Sequence, residues 1–395
     1  MGLDSAASPK VRTIAFPLVG GRHQFLHGLP VAASLSRRPG VEVEVFVLNM
    51  AETRAAWALL DALGADRVDV IEMRLPRMVE KFTARRAPET PLKTERLVWW
   101  SRRIRRAACI VTLERTSSLL KRLPGRCPPM IHIPHGVGGA RRAGGGGLDQ
   151  RFSRFDLALL AGESDRETTV RLGLLPPERV AIVGQVKLAG LRRLGKLRRH
   201  RLFDNDRPTV LYNPHFHPRR GTWARFGRPL IEALREDRGF NLIVAPHMRL
   251  FQSRPDEEIE ALRALSEPDW LIVDPGSDRS TDMTYTMAAD IYLGDFSSQL
   301  YEYLIEPRPC VLIDQLGDGG RDDTMLPRMW SLGERVTEVE QIMPALRRAT
   351  ARHAEHCEAQ RATVREAIGR LDEDAGEVAA DLILARLDAR ASRRG

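Results

Sequence analysis

Apolar residues gather in short runs at 11–18, 41–48, 68–71, 108–113, 130–133, 157–161 and 180–183, and the segments between them repeat apolar positions every three or four residues. Runs of that length bounded by polar or turn residues predict strands buried on both faces, and the intervening spacing predicts helices. Strictly alternating strands and helices build a parallel sheet with crossover helices. A second series repeats the pattern at 209–212, 240–245, 270–273, 290–293 and 309–313. The chain is therefore expected to be an α/β protein of two Rossmann-like, doubly wound domains.

Between the two series, LRRLGKLRRHRLFDNDRP (191–208) loses apolar periodicity and ends in Asp, Asn and Pro. The domain boundary is placed near 200. Beyond Thr337 the spacing is helical throughout, with helices beginning near Glu338 and covering 351–371 and 376–391. The expected division is 1–200, 201–372 and a C-terminal helix in 373–395 that packs back across the domains. Two doubly wound domains are expected to turn the carboxyl ends of both sheets toward a cleft, because open α/β sheets bind ligands there.

Composition narrows the function without choosing it. With 43% hydrophobic and 29% charged residues, wholesale disorder is excluded. No apolar run is long enough to cross a bilayer, and MGLDSAASPKVR lacks a basic stretch followed by an apolar one, so a cytoplasmic protein is expected. The four cysteines are far apart and form no Cys-x-x-Cys pair, which fits free thiols in a reducing compartment. Lys and Arg outnumber Asp and Glu by 61 to 52, and arginines cluster in RRIRR (102–106), RRAGGGG (141–147) and the 191–201 stretch. Such an excess suits phosphorylated substrates or an anionic membrane surface at which the protein would be peripheral. No zinc-finger, RNA-recognition or helix-turn-helix pattern accompanies it, so nucleic acid is not an expected partner.

Four stretches end predicted strands and carry reactive side chains. IHIPHGVGGARR (131–142) sets His135 and Gly136 on a glycine-rich loop, where a histidine can take a proton near neutral pH and glycine lets backbone approach a ligand; His132 alternates away and is assigned to packing. VLYNPHFHPRRGTW (210–223) brings His215, His217, Arg219 and Arg220, and FNLIVAPHMRLF (240–251) brings His247 and Arg249. His-x-His without a nearby carboxylate or cysteine is read as an anion contact, and neither a metal nor a cofactor is expected. DIYLGDFSSQLYEYL (290–304) runs from a strand through Asp295, Ser297 and Ser298 into a short helix carrying Glu302. Asp295 or Ser297 can cap that helix, the serines can receive a phosphate at its N-terminus, or both. Glu302 can hold sugar hydroxyls or pair with a surface arginine. VGGRH (19–23) lacks the spacing of a dinucleotide fingerprint, and Trp99-Trp100 beside RRIRR is either core beside a solvated face or a membrane-surface patch, of which core is preferred.

The order of these stretches resembles the CDP-glycerol glycerophosphotransferase family, the enzymes of teichoic-acid type polymers. IPHGVG is similar to the family's His-Gly-Thr-Pro segment and VGQVKLAGL (183–191) to its Gly-x-Pro-Arg/Lys-x-Asp-x-Leu segment. VLYNPHFHPRR is similar to Tyr-x-Pro-Thr-Trp-Arg, IVAPHMR to Arg-x-His-Pro, and DMTYTMAADIYLGDFSSQLYEYL (282–304) to a run containing Ala-Asp and Asp-Tyr-Ser-Ser-x-x-Phe-Glu-Tyr. The resemblance spans roughly residues 130–315. It implies the glycosyltransferase-B (GT-B) architecture and a transferase moving a glycerophosphate-type or glycosyl group. The donor would be CDP- or UDP-linked and the acceptor a hydroxyl of a cell-surface polymer or lipid-linked molecule. His135 would be the base. His247, Arg219, Arg249, Asp295, Ser297 and Ser298 would surround the donor phosphates with Gly136, and Glu302 the ribose. Val137-Gly138 in place of Thr-Pro, Met248 in place of Pro, and Phe216-His217 in place of Trp-Arg leave the donor open. The alternatives are a nucleotide-sugar epimerase of the same fold and a non-catalytic basic protein that binds anionic polymer or membrane.

Overall fold

The computed structural model describes residues 11–79, 92–137, 149–216, 221–251, 254–317 and 326–392. Arg141, Arg142, His217, Arg219 and Arg220 lie outside the described residues. The chain folds as two compact units: Met1–Leu194 with Ile368–Gly395, and Gly195–Ala367.

The first unit holds a seven-stranded parallel sheet of β1 (Arg12–Pro17), β2 (Val41–Val47), β3 (Val68–Glu72), β4 (Cys109–Thr112), β5 (Met130–His132), β6 (Leu157–Leu160) and β7 (Val180–Ile182). Their spatial order is 3-2-1-4-5-6-7. Every residue of β4, β5 and β6 is buried, as helices on both faces of a parallel sheet require. Near the edge, β2 keeps Glu42 exposed while Val41, Val43 and Val45 point into the core. The C-terminal helix Ala375–Ser392 belongs to this unit and packs on the helices Phe25–Ser36 and Val186–Arg193. Glu377 anchors it, accepting from Arg37 and Arg193 at 2.7 Å, Arg38 at 2.9 Å and the Ser34 hydroxyl at 2.9 Å.

The second unit holds β8 (Thr209–Asn213), β9 (Asn241–Val244), β10 (Leu271–Val273), β11 (Ile291–Gly294), β12 (Cys310–Ile313) and β13 (Glu334–Val336), all parallel, in the order 10-9-8-11-12-13. The helix Trp223–Asp237 buries Phe226, Leu230, Ile231 and Leu234, one stripe at three- and four-residue spacing, against Val210, Leu242 and Val244. Two parallel sheets with flanking helices are the doubly wound α/β architecture expected from the apolar pattern. Among the described residues no helix is long and apolar enough to cross a membrane.

One sequence expectation is corrected. Trp99 is 58% exposed, whereas Trp100 packs edge-on against Phe46 and donates its indole N–H to the Arg74 carbonyl. The stripe of the helix Lys93–Ile104 that faces the core is Leu97, Ser101 and Ile104, and Trp99 falls outside it. In the basic 191–201 run several side chains are paired. Arg193 pairs with Asp374 and Glu377, Lys196 with Asp282, Arg199 with Asp290 and Arg201 with Asp206.

Candidate functional site

In the first unit the strand order reverses between β1 and β4, so the connections after these strands leave on opposite faces and open a crevice at their carboxyl ends. His135 follows β5 and reaches into that region. Its Nδ1 lies 2.7 Å from the carbonyl oxygen of Leu113, just past β4. A carbonyl only accepts, so Nδ1 carries the proton and the neutral ring keeps its lone pair on Nε2. The segment after β1 closes on the same ring: His23 and His27 meet it edge-on at 5.7 and 6.4 Å between centroids, and the Gln24 amide lies 3.3 Å from Nδ1. His135 thus gathers the ends of three strands.

His135 and Gly136 line a cavity of about 190 Å³ whose wall includes Leu113, Glu114, Arg115, Phe152 and Thr169. The wall's charges are largely matched internally. Buried Asp149 accepts a forked pair of hydrogen bonds from Arg151 and pairs with Arg115 at 2.9 Å. The Arg151 hydrogen bond holds the Asp149 carboxyl below its ordinary range against the opposing effect of burial. His132 is a packing residue, stacked on Phe155 at 4.5 Å between centroids.

The second unit repeats the reversal between β8 and β11. Gly294 ends β11 at φ +147°, and a Cβ there would stand 2.9 Å from the Asn213 carbonyl oxygen, so the two strand ends approach this closely only with glycine. The next residue, Asp295, turns into unit 2 and staples the chain after β8: its Oδ2 accepts from the backbone N–H of His215 at 2.6 Å and of Thr222 at 3.3 Å. Its Oδ1 has no hydrogen-bond partner among the described residues. Burial pushes this carboxyl up to about 7, and the two backbone donors only partly oppose it. Asp295 therefore acts on the loop, and helix capping falls to Ser297, whose Oγ accepts from the Gln299 N–H at 3.2 Å. Ser298 begins the helix Ser298–Tyr303. Glu302 is buried on that helix.

His247 follows β9, and its Nδ1 accepts the backbone N–H of Arg249 at 3.2 Å. In the neutral ring the proton is then on Nε2, the reverse of His135. His215, Phe216 and His247 cluster at 4.4 to 5.4 Å between ring centroids, and the Arg249 guanidinium lies over the Phe216 ring at 4.2 Å. Phe216 supplies the face on which Arg249 rests. Asp295, His215, His247 and Arg249 are thereby assembled from three strand ends. No group of three or more His, Cys, Asp or Glu that could hold a metal occurs among the described residues.

Sequence reasoning missed Gln24, Thr222 and Asp149. The first directly follows the VGGRH stretch and the second directly follows Gly221, so a turn after a strand was the available signal. Asp149 carried none, since only the fold brings it to Arg115.

No family model matches the sequence, and no curated protein matches it. Among solved structures, the wall teichoic acid polymerase TagF is similar with a TM-score of 0.62 at 15% identity, over 98% of this chain and 92% of that one. A UDP-GlcNAc 2-epimerase from Neisseria meningitidis, bound to UDP-GlcNAc, is similar with a TM-score of 0.59 at 12% identity, over 95% and 98%. A putative UDP-N-acetylglucosamine 2-epimerase from Listeria monocytogenes gives 0.60 at 11%, over 97% of each chain. At these identities the likeness is one of fold, the two-domain GT-B architecture, and it includes a member of the kind of enzyme whose motif order the sequence resembles.

Proposed function

We propose that the protein is a transferase that moves a glycerophosphate-type or glycosyl group from a CDP- or UDP-linked donor to a hydroxyl of a polymer or lipid-linked acceptor. The observation that carries this reading is the opposite hydrogen bonding of two histidines at strand ends: His135 Nδ1 faces the Leu113 carbonyl and His247 Nδ1 the Arg249 N–H, from which Nε2 is inferred to be an acceptor in the first and a donor in the second. His135 takes the acceptor proton as the new bond forms at the donor's phosphorus or sugar carbon. Negative charge then grows on the departing nucleotide phosphate, where the His247 N–H, Arg249, Ser297 and Ser298 offset it; positioned donors of this kind are the main resource of such transfers. With CDP-glycerol the bond from the transferred phosphorus to the bridging oxygen breaks and CMP leaves. With a sugar nucleotide the nucleoside diphosphate leaves. The assignment of Arg219 to the donor phosphates and of Glu302 to the ribose rests on the motif resemblance.

The test is incubation of the purified full chain with labelled CDP-glycerol and several UDP-sugars, with and without hydroxyl acceptors. Acceptor-dependent release of CMP or of UDP supports the transfer and names the donor class. Conversion of a UDP-sugar to its epimer without acceptor, or no turnover of any donor, overturns it. His135→Ala should lower transfer by on the order of 10² to 10⁴ and leave CDP binding intact, because the base acts on the acceptor proton.

A further inference from the structure

We propose that Gln24 is the positioning residue of His135: its carboxamide oxygen holds the imidazole with Nδ1 protonated and Nε2 as the acceptor, and Gly20 leaves the space that this amide occupies. The inference rests on the reading of His135 as the base and adds to it a residue from a distant part of the chain.

Three observations carry it. First, the Leu113 carbonyl at 2.7 Å requires a proton on His135 Nδ1, yet the Gln24 Nε2 is placed 3.3 Å from the same nitrogen. Two donors cannot satisfy one another. Gln24 is buried, and its Oε1 has no hydrogen-bond partner among the described residues. Exchanging the two ends of the amide, which have nearly the same shape, removes the clash of donors: Oε1 then accepts from Nδ1–H, and the amide N–H takes the other place. Second, the backbone of Gln24 is held in place. It belongs to the turn Arg22–Gln24 that leads into the helix Phe25–Ser36, and the Gln24 N–H donates to the Gly21 carbonyl at 3.0 Å. Third, a Cβ on Gly20 would fall 2.0 Å from the Gln24 amide carbon and oxygen. Gly20 is not one of the glycines with positive φ, and the nearest obstruction to a side chain there is the Gln24 amide.

The chemistry follows from the pair of acceptors. When Nε2 takes a proton the ring becomes a cation, and the Leu113 carbonyl and Gln24 Oε1 both face the Nδ1–H that shares the charge. A neutral carboxamide steadies the tautomer and the imidazolium without a full negative charge beside the base, unlike the carboxylate of a hydrolase triad. The other ionisable groups near the ring are His23 and His27 from the β1 side, Glu114 and Arg115 directly after Leu113, and Glu52, whose carboxylate lies near Gly21.

The experiment compares full-length wild type, Gln24→Leu, Gln24→Glu and Gly20→Ala. Nitrogen-15 NMR of the imidazoles, with the His135 signals identified by their loss in His135→Asn, reads the tautomer directly. Wild type should show the Nδ1–H form at neutral pH, whereas Gln24→Leu and Gly20→Ala, in which the Leu113 carbonyl alone holds Nδ1–H, should show an added share of the Nε2–H form. In turnover both should lose about 10-fold in kcat with donor KM little changed, as partners one step removed from the reacting atoms do. Gln24→Glu should move the acid limb of kcat/KM upward by about one pH unit or more, since a carboxylate favours the imidazolium. Gly20→Ala tests the idea without altering Gln24 and needs no unusual backbone, and its melting temperature checks that it folds. An unchanged His135 tautomer in both Gln24→Leu and Gly20→Ala would overturn the proposal. Because NMR requires no donor, absence of turnover would refute the transferase reading while leaving this assignment to be decided by the imidazole signals.

Discussion

Replacing Asp295 by asparagine isolates the ionisation of one buried carboxyl. Burial raises that group from 3.8 to about 7 in the folded protein, despite hydrogen bonds from the N–H groups of His215 and Thr222. A shift of roughly 3 units corresponds to about 4 kcal/mol between the protonation states, at about 1.4 kcal/mol per unit. The folded carboxyl binds its proton more tightly than the unfolded one. Its contribution to stability is therefore fully present below the unfolded value of 3.8 and is lost as pH rises through about 7. Asparagine does not titrate, and its side-chain oxygen can still accept from both backbone donors. The stability of Asp295→Asn minus that of wild type should thus climb by up to about 1.4 kcal/mol per pH unit across this window and level off above it. The acidic groups held low by arginines, Asp149 and Glu377, are common to both proteins and cancel in the difference. Because the chain folds as two units, a local readout is needed: hydrogen exchange of the β8 and β11 amides, corrected for intrinsic rates, from about pH 4 to 8. A flat difference would mean that Asp295 stays ionised in the folded protein and that its two N–H donors outweigh burial. A difference that fell with pH would reverse the sign of the argument.

Further outcomes follow from the same geometry. Changing Ser297 and Ser298 together to alanine should cost about 1 to 2 kcal/mol through the lost cap. If they also receive phosphate, calorimetric titration should show CDP weakened far more than cytidine, and an equal loss for both ligands would confine the serines to capping. Gly294→Ala should destabilise unit 2 by about 1 to 3 kcal/mol in the same exchange measurement, since a positive φ and a carbonyl 2.9 Å away both oppose a side chain; wild-type stability would contradict the close approach of β8 and β11. Sedimentation with anionic vesicles should retain the protein at low salt and release it as salt rises, with Trp99→Ala weakening retention. No retention at low salt would remove the membrane surface as a partner.

The strands were legible because burial on both faces leaves nothing but apolar residues, as in CIVT of β4 and CVLI of β12. β13 escaped notice for the converse reason. Its three residues are Glu, Arg and Val, made compatible with a sheet because Arg335 is paired with Asp314 at the end of β12 and Glu334 accepts from Arg348 and Arg352. Trp99 misled because a tryptophan pair was read as one feature, whereas neighbours on a helix face directions about 100° apart. His135 and His247 were legible from their place after apolar runs. What gives each its protonation was not. The Leu113 carbonyl is 22 residues from His135 and Gln24 is 111 away, and no local pattern encodes a backbone acceptor. The role of Asp295 was assigned to the adjacent helix by proximity in sequence, while its carboxylate reaches the loop after β8, some 80 residues earlier.

The docking of helix Ala375–Ser392 on helix Phe25–Ser36 also sets the order in which the protein can be completed during synthesis. The Ser34 hydroxyl and the Glu377 carboxylate that it meets are separated by 343 residues, so an emerging chain carries the first seven strands for the whole time that unit 2 is being translated. During that interval the groove formed by the Phe25–Ser36 and Val186–Arg193 helices, where Ala379, Ala380 and Ile383 will be buried, is open to water and to other nascent chains. Unit 2 is continuous and can close as soon as its last strand and helix appear. Unit 1 is split, and its closure waits on the final helix and on a contact with a large loop-closure cost. A cell making this protein would therefore find the N-terminal unit, although translated first, to be the last finished.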